Sequence, residues 1–198
     1  MDINKEYQER KGIIKSRLDD FSRVKYDEIF YEMCFCLLTP QSSAKQADKC
    51  IQILKKLDFK NKNINPERFL EGIRFHINKS KYLMEAKQKY SLIEEKLKSI
   101  KDANELRDWL VENVKGYGYK EASHFLRNIG YRNLAILDRH ILKNLNKFNV
   151  IEEIPKSLTV KKYFEIEDKF KEFSKQVNIP IDELDLLFWS QETGEVFK

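Results

Sequence analysis

The chain has 198 residues, of which 35% are charged, and its mean hydropathy is −0.62; 37 basic and 32 acidic side chains leave a net charge of +5. No apolar run approaches the roughly 18 residues of a membrane span, and an N-terminus carrying Asp2, Lys5, Glu6 and Glu9 has no signal-peptide core, which argues against membrane insertion and secretion and predicts a cytoplasmic protein. The modest positive excess favours a polyanion only if the lysines gather on one face, and the length suits one compact domain or two interlocked helical subdomains.

Apolar residues recur at helical spacing almost from end to end. Ile3, Tyr7, Ile14, Leu18 and Phe21 predict an opening scaffold helix, with Gly12 as an interruption. Tyr26 to Leu38 places Ile29, Phe30, Met33, Cys34, Leu37 and Leu38 on one stripe and stops at Thr39-Pro40. Ser42 or Ser43 then caps a helix whose inward residues are Ala47, Ile51, Leu54 and Leu57. The three cysteines, Cys34, Cys36 and Cys50, lie on these apolar patterns without the companions of a zinc or iron–sulfur site, and read as buried thiols.

Asn65-Pro66 starts a short helix, with proline suited to the first helical position. Arg74-Phe75-His76-Ile77-Asn78-Lys79 then leads into a longer one carrying Tyr82, Ala86, Tyr90, Ile93 and Leu97. Towards the C-terminus, Tyr163, Ile166, Phe170, Phe173 and Val177 define a helix starting near Ser157 or Thr159, and Pro180 opens a last one over 178–190 with Leu184, Leu187 and Phe188 inward and Trp189 near its end. Lys156, Lys161 and Lys162 crowd the start of the first of these, where the helix dipole disfavours cations; they serve either a phosphate backbone or a solvated face. No run reads as a strand, so the fold is predicted to be all-α.

The stretch that organises the chain is Asn113-Val114-Lys115-Gly116-Tyr117-Gly118-Tyr119-Lys120-Glu121-Ala122. Leu106, Trp109, Leu110 and Val114 precede its glycines at helical spacing, and Ala122, Phe125, Leu126 and Ile129 follow them, so two helices meet at a very short turn. Gly116 and Gly118 suit positive φ and close backbone approach, and the free N–H groups that open the second helix form a natural phosphate grip. Lys120 sits in that helix's first turn, where the dipole and lost hydration disfavour an ammonium; a neutral lysine amine is a nucleophile. Asp138 opens the next apolar run, Ile141, Leu142, Leu145 and Phe148, in the ordinary place of an N-cap.

Gly-Tyr-Gly-Tyr-Lys-Glu-Ala, with Leu-Asp-Arg-His-Ile eighteen residues after the lysine, resembles the helix-hairpin-helix DNA glycosylase superfamily. More narrowly, the runs from Lys120 to Tyr131 and from Ala135 to Leu142, the Cys-Leu-Leu-Thr-Pro-Gln-Ser stretch and the C-terminal lysine resemble the archaeal-type 8-oxoguanine DNA glycosylases. Lys115 is a departure, since many relatives have proline there, and it offers a phosphate contact instead. The absence of any cysteine after Cys50 separates the chain from the endonuclease III and adenine glycosylase types, which carry a four-cysteine cluster near the C-terminus.

The resemblance implies one catalytic unit over 1–198 with two helical subdomains, about 40–138 ending in the hairpin and about 1–39 plus 139–198, and an active-site cleft between them. It implies a monomer that acts on double-stranded DNA containing 8-oxoguanine, as DNA glycosylase and AP lyase together, with no cofactor and no catalytic metal. It assigns Lys120 as nucleophile and Asp138 as electrostatic stabiliser, Phe75, Trp189 and Lys198 to the extruded base, and Gln41 to DNA, beside the phosphate grip read from Gly116 and Gly118 and the phosphate contact that the departing Lys115 offers. The rivals are a same-fold glycosylase for oxidised pyrimidines and a non-catalytic helix-hairpin-helix DNA-binding module.

Overall fold

In the computed structural model, which describes residues 3–198, the chain folds as helices joined by short turns, and no strand occurs among the described residues. Two compact units emerge, Val24–Phe125 in one and Met1–Arg23 with Leu126–Lys198 in the other, the description of the second starting at Ile3.

The continuous unit contains α2 (Tyr26–Leu38), α3 (Ala44–Lys56), α4 (His76–Gln88), α5 (Tyr90–Ser99), α6 (Ala103–Asn113) and most of α7 (Tyr119–Asn128). Burial of α2 is wider than the single stripe expected: Tyr31, Phe35 and Cys36 are buried along with Phe30, Met33, Cys34, Leu37 and Leu38, while Ile29 is half exposed. A helix apolar around most of its girth belongs in a core. Phe30 is its anchor, packed edge-on against Tyr31 and Tyr90 and tilted against Phe59. All three cysteines are buried, as thiols and not in disulfides.

Ser43, rather than Ser42, caps α3, its hydroxyl accepting from the Gln46 N–H. Pro66 opens a 3₁₀ turn over Pro66–Phe69, capped by Asn65. The long helix expected through Leu97 is two helices, because Lys89 leaves helical geometry at φ −88° and ψ 0°. At that break Tyr90 turns inward against Phe30, a large buried contact that a run of helix propensity does not encode.

The discontinuous unit is built round α10 (Ile181–Thr193), whose Leu184, Leu186, Leu187 and Phe188 are all buried. It packs against α1 (Ile3–Ser22), α8 (Arg139–Lys147) and α9 (Val160–Val177). Phe188 stacks between Phe148 and Phe170, with ring centroids 5.6 and 6.1 Å away, and the Tyr7 hydroxyl donates to Glu183. Helix α1 runs unbroken through Gly12, a position facing open space, so glycine costs it only about 1 kcal/mol relative to alanine. Thr159 caps α9, and α10 starts at Ile181 behind Pro180. Among the described residues no helix is long and apolar enough to cross a membrane.

Candidate active site

The hairpin is closed by backbone and side chain together. Val114 ends α6, its N–H bonded to the Leu110 carbonyl, and the Tyr117 N–H returns to the Val114 carbonyl at 3.0 Å. Gly116 adopts φ +95°, and a Cβ there would stand 2.6 Å from Tyr82 Cδ2, so both conformation and space demand glycine. Gly118 differs from expectation, for its φ is not positive. Its N–H donates to Glu121 Oε2 at 3.1 Å, and a Cβ would crowd that same carboxylate oxygen at 3.2 Å. One of the free N–H groups expected at the start of α7 is therefore already taken, in the manner of half a capping box.

Buried side chains hold the turn from both sides. Tyr117 donates its hydroxyl to the Met33 carbonyl at 3.0 Å, which pins the turn to α2. Arg107 on α6, 1% exposed, donates to Ser123 on α7 at 3.2 Å and to Asn104 at 3.1 Å. Lys120 emerges in the first turn of α7 with its Nζ 3.0 Å from Glu121 Oε1, so Glu121 spends one carboxylate oxygen on the lysine and the other on Gly118. Lys115 is exposed and meets Glu85 at 3.9 Å, a surface pair of little energetic weight.

Two more residues of interest lie in the same unit, at unusual backbone positions. Gln41 is exposed at φ +54° in the turn after α2, and Phe75 is 51% exposed at φ +58° as the residue before α4. The Arg74 guanidinium lies 4.9 Å over the Phe75 ring. Between them Lys79 is buried and donates to the Leu38 carbonyl (2.7 Å), the Pro40 carbonyl (2.6 Å) and Ser42 Oγ (3.2 Å). Burial, the nearby Lys120 charge and, in the opposite sense, Glu121 bring the Lys79 ammonium down to about 8.

In the other unit Asp138 caps α8, its carboxylate accepting from the Ile141 N–H at 2.8 Å. Near it lies Asp185 on α10, which receives a 2.9 Å bond from Arg127; both side chains are almost wholly buried. Burial pushes the Asp185 carboxyl up to about 7, with Asp138 and Asp182 adding to the rise and Arg127 opposing it. Trp189 is half buried with one face stacked on Phe197, ring centroids 6.3 Å apart. The tail is packed rather than frayed: Val196 is buried, and Thr193 Oγ1 donates to the Trp189 and Glu195 carbonyls. Lys198 is partly exposed.

Sequence reasoning overlooked Arg107, Arg127, Asp185 and Lys79. The available sign was a charged residue at an apolar register, as in Leu184-Asp185-Leu186-Leu187 and Phe125-Leu126-Arg127-Asn128.

An all-helical chain in which a tight glycine turn delivers a lysine into the first turn of the next helix has the helix-hairpin-helix DNA glycosylase fold. The family model for 8-oxoguanine DNA glycosylase matches residues 14–179, and the chain belongs to that family. It is 44% identical to the 8-oxoguanine DNA glycosylase/AP lyase of Fusobacterium nucleatum subsp. nucleatum, over 100% of this chain and 96% of the relative. It is 41% identical to the protein of the same name from Korarchaeum cryptofilum, over 95% of this chain and 91% of the relative. Among solved structures it matches the Methanocaldococcus jannaschii 8-oxoguanine glycosylase/lyase in complex with 15mer DNA containing 8-oxoguanine, at TM-score 0.87 and 38% identity over 98% of both chains. It also matches the 8-oxoguanine DNA glycosylase of Thermotoga maritima, at TM-score 0.89 and 29% identity over 98% of this chain and 96% of that one.

Proposed function

We propose that this chain removes 8-oxoguanine from double-stranded DNA and then cleaves the strand, with Lys120 as its nucleophile. Family membership supports the substrate and the paired activities, and the observation that carries the chemistry is the Lys120–Glu121 contact at the hairpin. A lysine held 3.0 Å from a carboxylate has an acceptor for the proton it must lose before attack.

A base inside a duplex hides its anomeric carbon, so the nucleotide is turned out before reaction. The Lys120 nitrogen lone pair then bonds to the anomeric carbon, and the base departs with the glycosidic electrons and takes up a proton. The C1′–O4′ bond then breaks, O4′ keeping its electron pair and taking up a proton to replace the one that nitrogen loses, which opens the sugar ring and leaves a Schiff base. Removal of the 2′ proton expels the 3′ phosphate by β-elimination. Asp138, oriented by its cap bond to Ile141, stabilises the positive charge that develops on the sugar. Gly116, Gly118 and Lys115 carry the phosphate grip, Gln41 faces the gap left by the extruded nucleotide, and Phe75, Trp189 and Lys198 serve the extruded base.

Borohydride trapping on an 8-oxoguanine duplex tests this reading. Wild-type protein is expected to yield a covalent adduct, and Lys120→Gln to bind the duplex while losing both adduct and base release. An adduct retained by Lys120→Gln refutes the assignment, and faster excision of thymine glycol than of 8-oxoguanine moves the protein to the oxidised-pyrimidine class.

A further inference from the structure

Six residues other than glycine have positive φ among the described positions, and five of them are Asn, Asp or Gln. The exception is Phe75, a large aromatic side chain for which that backbone region is a genuine outlier. Gln41 shares the same region, and both side chains are exposed. Backbone strain of this kind persists only where the surroundings over-determine it, and it collects at functional positions.

One buried residue links the two positions, bonding directly to the turn that carries Gln41 and through Ser42 to the segment that carries Phe75. Lys79 Nζ makes three bonds, its full donor capacity, to the Leu38 carbonyl, the Pro40 carbonyl and Ser42 Oγ, and these acceptors bracket Gln41. Ser42 Oγ also accepts from the Arg74 N–H at 3.0 Å, one residue before Phe75. The backbone closes the ring, since the Lys79 N–H donates to the Phe75 carbonyl at 3.0 Å. No carboxylate takes part in these bonds. A buried ammonium held by two carbonyls and a hydroxyl, with no countercharge among them, is costly, and the cost shows in its lowered pKa. Apolar packing would stabilise the fold at less expense, so a role beyond folding accounts for the lysine. Its electrostatic interaction with Lys120 and Glu121 places the hub beside the nucleophile.

We propose that Lys79 is a positioning residue which, through Ser42, joins the turn carrying Gln41 and the segment carrying Phe75 into one rigid, coupled clamp for the extruded nucleotide. The part concerning DNA rests on the function proposed above; the coupling of the two segments does not. Disturbing the hub slows capture of the lesion base and leaves the Lys120 chemistry largely intact, because Lys79 touches neither the sugar nor its leaving groups.

The experiment has two arms on Lys79→Met, Ser42→Ala and Ser42→Thr. In the free protein, amide hydrogen exchange is expected to quicken at residues 39–42 and 74–75 together in Lys79→Met and Ser42→Ala, and to return towards wild type in Ser42→Thr, which keeps the hydroxyl. With DNA, single-turnover excision from an 8-oxoguanine duplex is expected to fall roughly ten- to hundredfold in Lys79→Met, the scale of a lost hydrogen bond to a charged group, and less in Ser42→Ala. Borohydride trapping on a duplex with a preformed abasic site, where no base needs capturing, should fall far less. Independent exchange at the two segments, or equal losses on both duplexes, would overturn the proposal. If Lys79→Met does not fold, Ser42→Ala alone decides it by the same two criteria. A wild-type protein inactive on both duplexes would refute the function instead, and the exchange arm would still decide the coupling.

Discussion

Each unit buries charge beside a residue assigned to chemistry, and the two do it in opposite ways. In Val24–Phe125, Lys79 lies near Lys120 and is satisfied by two carbonyls and a hydroxyl. In the other unit, Asp185 lies near Asp138 and is satisfied by Arg127, a full countercharge at 2.9 Å. An ammonium bonded to backbone dipoles ties down a turn, since the acceptors are the chain itself. A guanidinium–carboxylate pair ties down side chains on two helices, α7 and α10, and leaves the backbone free. The first arrangement therefore serves the shape of a loop and the second the register of a helix pair. Removing one partner costs more in the second case, because it leaves a buried guanidinium or carboxyl group in the core without the opposite charge that satisfied it.

The largest expected effect comes from breaking that ion pair. Arg127→Met should destabilise the protein by about 3–5 kcal/mol at a pH well above 7, where Asp185 must either stay charged without a partner or take up a proton; urea unfolding at about pH 9 measures it, and a loss below about 1 kcal/mol would show the pair to be dispensable. Next comes Asp138→Asn. Asparagine is as good an N-cap as aspartate, so melting should barely move, while excision falls roughly 10²–10³-fold if the charge acts on the sugar. A mutant equally folded and fully active would reduce Asp138 to a cap.

Trp189→Ala should weaken lesion capture by about 1–3 kcal/mol, the worth of one base stacked on an aromatic ring, with little change in preference between 8-oxoguanine and guanine. Titration with lesion and undamaged duplexes checks both parts. The last expected effect is a slope with pH. Asp185 titrates near 7 in the folded protein against an ordinary 3.8 when unfolded, so between those values the native state holds a proton that the unfolded chain has released. Stability therefore declines as pH rises from about 4 to about 7, and Asp185→Asn should flatten that part of the curve. A parent protein whose stability rises with pH over this window would contradict the assignment.

The helical periods were legible because local chemistry enforces them: proline and serine mark the turn at 39–43, Asp138 and Thr159 cap helices α8 and α9, and apolar spacing lines the inner faces. The break at Lys89 was not legible, because nothing in Gln88-Lys89-Tyr90 disfavours helix and the cause is the burial of Tyr90 against Phe30. Gly116 was read correctly, its positive φ being a local demand. Gly118 was read only in part, since its constraint is the Glu121 carboxylate three residues on.

The sequence by itself determined the all-helical class, the hairpin and the family, because each depends on spacing along one stretch of chain or on a motif written contiguously. Tertiary structure alone decided which charges lie inside. Lys79 gathers acceptors 37 to 41 residues before it, and Arg127 meets an aspartate 58 residues later. On the page these are ordinary charged residues on helices that could face water. Folding removes the water, and a buried ion is then defined by the few atoms that replace its hydration shell.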